Sequence, residues 1–335
     1  MAADRTPDPV TRAFTLLTER AVSLHAAAVL RAGYGLLYLA FLLREFPHRD
    51  EIWGPGSPWS PALARELQGR TGWFSVLTLS DRPAWFACCY AFALLVCALF
   101  ALGWRTRALS VLFALVVTSF HGRAILMTDG GDNLIVLMAV YLAFTACGSR
   151  WSLDARRRGR RPARPAVRQA ALVRVRLRTV LHNCAMFVIA AQVCVLYGST
   201  GLYKVQGDQW RDGTALHYVL HLGLFQPWPA LSHLADQHPL ALAVTGYLTV
   251  LVQVAVPFAA FSRAKYAVLA LLLGMHLGIA VLLGLPVFSG AMIVADAVFL
   301  PDRFFRSLRR PDRSRRPGAA PAVPAPAVPD VPARV

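Results

Sequence analysis

Eight stretches of the chain are almost wholly apolar, and polar and charged residues collect between them. They run over about 26–43, 83–102, 107–127, 132–148, 179–203, 239–260, 265–285 and 287–300. A helix rises 1.5 Å per residue, so a hydrocarbon core of about 30 Å calls for roughly 20 apolar residues. The fourth stretch is short. The eighth is too short to cross alone, so it is expected to tilt or to form a hairpin with the seventh. Backbone in lipid must satisfy its own hydrogen bonds, which favours helices here. The expected fold is all-α: a polytopic transmembrane helical bundle of about eight spans within residues 25–302. Before it, Phe14, Leu17, Ala21, Leu24 and Ala28 recur at helical spacing. Residues 1–24 are therefore expected to lie at the membrane surface as an amphipathic helix. Residues 303–335 turn basic and then Pro/Ala-rich, which predicts a disordered tail.

Composition agrees with this pattern. Hydrophobic residues make up 56% and charged residues 16%, where soluble domains carry about 25% charged. The net charge of +17 would suggest nucleic acid in a soluble protein. Here the arginines stand between and beyond the apolar runs, no binding motif is present, and a nucleic-acid partner is not expected. Their placement sets the orientation instead. With the N-terminus cytoplasmic, cytoplasmic segments hold 26 basic residues and the opposite side 8, while Arg31 lies inside the first span. Both termini are then cytoplasmic in a multi-pass protein of the cell membrane. The stretch 156–178 dominates the count and reads as a topology anchor against anionic lipid. All six cysteines lie inside apolar runs, as small hydrophobic residues do in bundles. The N-terminus lacks the apolar core and cleavage site of a signal peptide.

Only two of the 35 basic residues are lysines, and one, Lys204, closes the fifth apolar run. Two readings are open. Lys204 is a snorkelling anchor, or it is a base. An anchor needs only charge, and Arg serves this chain elsewhere. A desolvated Lys can give up its proton and Arg cannot. Gly198 and Gly201 thin the helix below it and admit a neighbouring helix or a ligand. Asp208, Trp210 and Arg211 follow, and a stop in the helix at "QGD" would leave Trp210 to cap the site. The second polar constellation is 121–133, with His121, Arg123, Asp129, Asp132 and Asn133 near the outer face. Ionisable residues at membrane depth are functional candidates. Asp129–Asp132 also reads as a turn with a helix cap, and His121 as a core histidine bonded to a carbonyl. Packing of this segment near Lys204 is expected from their common depth. His276 sits inside the seventh run, where an unpaired polar group is costly. Gln192 and Gln253 read as interhelical glue. His217 and His221 stand four apart, but no third ligand is evident and no metal site is expected.

The segment "GLYKVQGDQWRDGTALHY" (201–218) resembles the Gly-x-x-Lys…Trp…Gly signature of the HTTM family. That family includes the membrane domain of vitamin K-dependent γ-glutamyl carboxylases and bacterial proteins that help mature the sporulation-delaying toxin peptide. Arg31, the loop with Trp53 and Pro55, and "HGRAILMTDGGDN" follow the family order, so the resemblance covers roughly 25–300. It implies that Lys204 is a base acting on a reduced, vitamin K-like quinone. The carboxylases carry a large luminal domain after the bundle where this chain has a short tail, so it is more similar to the toxin-maturation branch. Lys204 and His121 are thus the expected catalytic residues, and Arg123, Asp132, Asn133, Trp210 and His276 the expected substrate-binding ones. The lipid bilayer is one partner, and a secreted peptide or an accessory membrane protein another. An accessory role without chemistry and a transporter are the alternatives. Against transport, no repeat pairs the two halves.

Overall fold

The computed structural model describes Asp8, Thr15 and residues 17–160 and 169–307. Of the surface helix expected over 1–24, Thr15 and residues 17–19 are helical; most of the rest, residues 161–168 of the basic stretch and the tail from 308 lie outside the described residues.

All regular structure among the described residues is helical. Besides the single turns Arg49–Ile52 and Asp208–Arg211 and short 3-10 turns, the helices among the described residues are α1 (Leu24–Arg44), α2 (Pro61–Thr71), α3 (Pro83–Leu102), α4 (Thr106–Arg123), α5 (Gly130–Ala143), α6 (Leu153–Gly159), α7 (Gln169–Gln206), α8 (Ala215–Leu220), α9 (Pro229–Asp236), α10 (Pro239–Ala259), α11 (Lys265–Leu282), α12 (Pro286–Asp296) and α13 (Asp302–Ser307). Five are long and apolar enough to cross a membrane: α1, α3, α7 over Leu172–Gln206, α10 and α11. This is a multi-pass membrane protein. The 18-residue α4 carries Arg107, His121 and Arg123, and α5 and α12 are shorter apolar helices. The exposed faces of α10 and α11 carry Leu251, Phe258, Leu273, Leu277 and Val281, a surface suited to lipid.

Local chemistry sets the helix ends. Pro stands in the first turn of α2, α3, α9, α10 and α12, where its missing N–H costs nothing. Asp129 and Asp132 form a capping box at the start of α5. Asp154 accepts the N–H groups of Arg105 and Thr106 at 3.0 and 2.8 Å. Burial opposes its charge, but these bonds and the Thr106 hydroxyl outweigh it and hold the carboxyl below its usual range. α7 starts about ten residues before the apolar run, because 169–178 is rich in Ala, Leu and Arg, all good helix formers.

The bundle packs around α1. Gly35 lets the backbone of Ala101 on α3 approach, while Gly33 faces Val294 and Gly290 on α12 faces Leu37. Arg31 is fully buried and donates to the carbonyls of Phe100 (2.7 Å), Ala101, Cys147 (3.3 Å) and Trp151 (2.7 Å), tying the ends of α3 and α5 together. The first-span arginine is therefore a structural hub. Gly103, at φ 73°, ends α3 where a Cβ would strike Ser152 and Arg31.

Two ends follow from the contacts. At one, Gln68 bonds the Gly122 carbonyl, Phe288 covers Gly131 and Pro227 meets Gly284. At the other, His182 accepts the Ala146 N–H at Nδ1, so its Nε2–H donates to the Val22 carbonyl at 2.7 Å. There too Asp302 accepts the His25 N–H at 2.9 Å.

Candidate functional site

One face of α7 carries Tyr197, Gly201 and Lys204, spaced so that they stack along the helix. α10 lies against that face. A Cβ on Gly201 would come within 2.8–3.1 Å of Val254 and Gln253, and one on Gly198 within 3.2 Å of Pro257. The two glycines thus admit a helix, and that helix delivers Gln253. The Lys204 Nζ donates to Gln253 Oε1 at 3.1 Å and lies 3.5 Å from the Thr200 carbonyl. It stands 5.3 Å from the centroid of the Trp210 ring. Helix α7 stops at Gln206, Gly207 is extended, and Asp208 bonds Arg211 in a separate single turn. Among the described residues no carboxylate pairs with Lys204. The half-buried amine is held by neutral acceptors and a ring face.

Two turns deeper lies a second polar group. The Tyr197 hydroxyl is 2.8 Å from His276 Nε2 and donates to Asp296 Oδ2 at 3.1 Å. Tyr197, His276 and Asp296 are exposed by only 0%, 1% and 8%. They come from α7, α11 and α12, so the cluster joins the three helices. Tyr197 is nine residues from the end of α7, about 14 Å, which is near the middle of a bilayer core. Among the described residues, His276 Nδ1 and Asp296 Oδ1 have no hydrogen-bond partner. Met275, next to His276, accepts a contact from Gln253 Nε2 at 3.8 Å. Gln253 thus bonds Lys204 on one side and faces Met275 on the other, and among the described residues no hydrogen bond joins it to the Tyr197–His276–Asp296 cluster.

The other expected residues gather elsewhere. His121 packs at a tilt of 46° against Trp73 with ring centroids 4.6 Å apart, and its Nδ1 makes no hydrogen bond among the described residues. With Asp132 it lines a cavity of about 210 Å³ walled by Tyr38, Phe41, Trp53 and Phe120. Lys204 is not among the residues lining that cavity, and among the described residues no hydrogen bond, ion pair or ring contact joins His121 or Asp132 to it. Asp132 Oδ2 accepts the Asp129 N–H at 2.9 Å, and exposed Asn133 bonds the Asp129 carbonyl, so both serve the cap of α5. Arg123 is buried and donates to the Gly54 carbonyl at 2.9 Å, pinning the aromatic loop. Of the expected substrate-binding residues, Trp210 alone touches Lys204, and His276 belongs to the deeper cluster with Tyr197 and Asp296. Tyr197 and Asp296 were missed. A lone Asp in "AMIVADAVFL" is itself the signal, since a carboxylate in an apolar run needs a partner.

No protein-family model matches the chain, and no solved structure does. The chain is 29% identical over 221 residues to "Uncharacterized protein YitO" of Bacillus subtilis (strain 168). The match takes in 63% of this chain and 64% of that protein, so the chain spans a little under two thirds of its relative's length.

Proposed function

We propose that this chain is a membrane-embedded enzyme of the cell membrane, with about eight helical segments in the bilayer, both termini cytoplasmic, and Lys204 as a base. The resemblance to the HTTM family supplies the reaction class, proton abstraction from a quinol-like or peptide substrate. One observation carries the reading: the Lys204 amine is oriented by Gln253 and Thr200, with no carboxylate among the described residues to fix its charge. An anchor lysine has no need of an amide acceptor two turns from a buried Tyr–His–Asp cluster.

An amine beside an amide oxygen suits a ring hydroxyl, whereas the aromatic cavity around His121 does not reach Lys204. Lys204 and Gln253 would therefore hold a reduced quinone, with Trp210 beside them, and the quinol when bound would supply the acidic hydroxyl. The amine takes up the proton and Gln253 orients its lone pair. Tyr197, whose hydroxyl bridges His276 and Asp296, stands two turns deeper on the same face of α7 and ties α11 and α12 to the helix that carries Lys204. His121, Asp132 and Arg123 belong to the lining and support of the aromatic cavity.

Complementation of a deletion in the native host tests this. Lys204→Arg is expected to abolish function at normal membrane level, because charge is kept and the base is lost. Full function of the Arg variant would overturn the base and leave the anchor.

A further inference from the structure

The segment between α7 and α10 holds His217, His221, His233 and His238, and the fold turns two of these onto one carboxylate. His217 lies on α8 and His221 at its C-cap, four residues on, with ring centroids 4.4 Å apart. Asp236 ends α9 opposite them. His217 Nδ1 is 2.6 Å from Asp236 Oδ1, and His221 Nε2 is 3.6 Å from Asp236 Oδ2. One donor atom from each residue lies within 4.8 Å of the other two. A tetrahedral ion with bonds of about 2.0–2.2 Å holds its donors roughly 3.3–3.5 Å apart, so small side-chain rotations close the set.

The tautomer supplies the second argument. His221 Nδ1 is 2.8 Å from the carbonyl of His217, which can only accept, so Nδ1 carries the proton. That leaves the Nε2 lone pair facing a carboxylate oxygen. Two acceptors face each other stably only with a cation between them. A second proton on His221 is one such cation, and a metal ion is the other. A backbone carbonyl that fixes the far nitrogen of an imidazole is the usual support of a metal-bound histidine.

We propose that His217, His221 and Asp236 bind one divalent late transition metal, of the zinc class. Two imidazoles and a carboxylate are the donors that suit zinc. Three protein donors with an exposed side leave a coordination position for water or a ligand. The ring of His233 stands 6.4 Å from that of His221 and flanks the site without joining it. The ion would clamp α8 to α9 across the loop that carries Trp228. This site stands apart from the reading of Lys204 and does not depend on it.

The test uses the full chain without a polyhistidine tag, in nanodiscs, stripped with a chelator and titrated with Zn²⁺ by calorimetry and with Co²⁺ by visible absorption. One saturable equivalent per chain is expected, with the strong d–d bands of a tetrahedral nitrogen–oxygen site. Asp236→Asn and His221→Ala are each expected to weaken binding by more than the roughly 10–100-fold that loss of a supporting partner costs, and His233→Ala by less than about tenfold. Metal-free thermal melts check that each variant is folded. No saturable binding by folded wild type would overturn the site. So would unchanged binding in the His217→Ala/His221→Ala double variant, or a Co²⁺ spectrum of octahedral solvent type.

Discussion

A buried Tyr with two ionisable partners is the most informative residue-scale feature of this protein. Tyr197 has one hydroxyl proton and donates it to Asp296, so His276 Nε2 must donate to Tyr197. Replacing Tyr197 with Phe keeps the ring and removes the bridge, leaving both partners buried without it. Loss of a buried hydrogen-bond partner costs about 1–3 kcal/mol. Tyr197→Phe is expected to destabilise the protein by that amount in a detergent-phase denaturation. Asp296→Asn should cost less, because a neutral amide is cheaper to bury than a carboxylate and still accepts from Tyr197. If the cluster handles protons, Asp296→Asn abolishes function while stability holds. If it is only a helix tie, function follows stability. Measuring both on both variants separates the two, and retained function in a stable Asp296→Asn protein would remove the cluster from the reaction.

At the scale of elements, the pair α7–α10 decides where Lys204 sits. Gly201 is the point of closest approach, since a methyl group there would lie within 3.1 Å of both Val254 and Gln253. Gly201→Leu is expected to cost about 1–3 kcal/mol by overpacking. It should also move Gln253 off Lys204 and so reduce function more than stability; a variant as active as wild type would show that Gln253 is not needed. The helices themselves were legible in the sequence, since apolar runs declare themselves by length. So were Gly198 and Gly201 as approach points and the stop of α7 before Asp208. What was not legible is which helix comes close. Nothing in "GYLTVLVQVAVPF" names Lys204 as the partner of Gln253, since an amide in a span can face any neighbour. Packing of 121–133 near Lys204 was expected from common depth alone; α5 does pack against α7, while His121 and Asp132 line a cavity with α1 and Gln253 of α10 holds Lys204. The contact of Asp236 with His217 and His221 was not legible either, because a residue on another helix has no sequence spacing to mark it.

For the whole molecule, the two ends of the bundle differ in charge, and the proposed orientation rests on that difference. At the end where Arg31 and Asp302 lie, Arg105, Arg107, Arg158 and Arg178 line a cavity of about 750 Å³. Short arginine-rich loops stay on the cytoplasmic side because moving them across the membrane is unfavourable. The other end carries α2, α8 and α9, with Arg65 paired to Asp81 and Arg70 to Glu66. Lys204 and the proposed metal site both belong to that end. They would then meet substrates and ions from outside the cytoplasm, which matters because a secreted peptide is reachable only there. The test is a chain whose six cysteines are replaced and which carries one new cysteine, either Arg160→Cys at the arginine-rich end or Gly223→Cys at the other. A side chain at Gly223 meets nothing within 4 Å, so that cysteine is tolerated and free to react. A membrane-impermeant maleimide on intact cells is expected to label the Gly223→Cys protein and to label the Arg160→Cys protein only after lysis. Labelling of the Arg160→Cys protein in intact cells would invert the molecule and put Lys204 on the cytoplasmic side, out of reach of a secreted peptide.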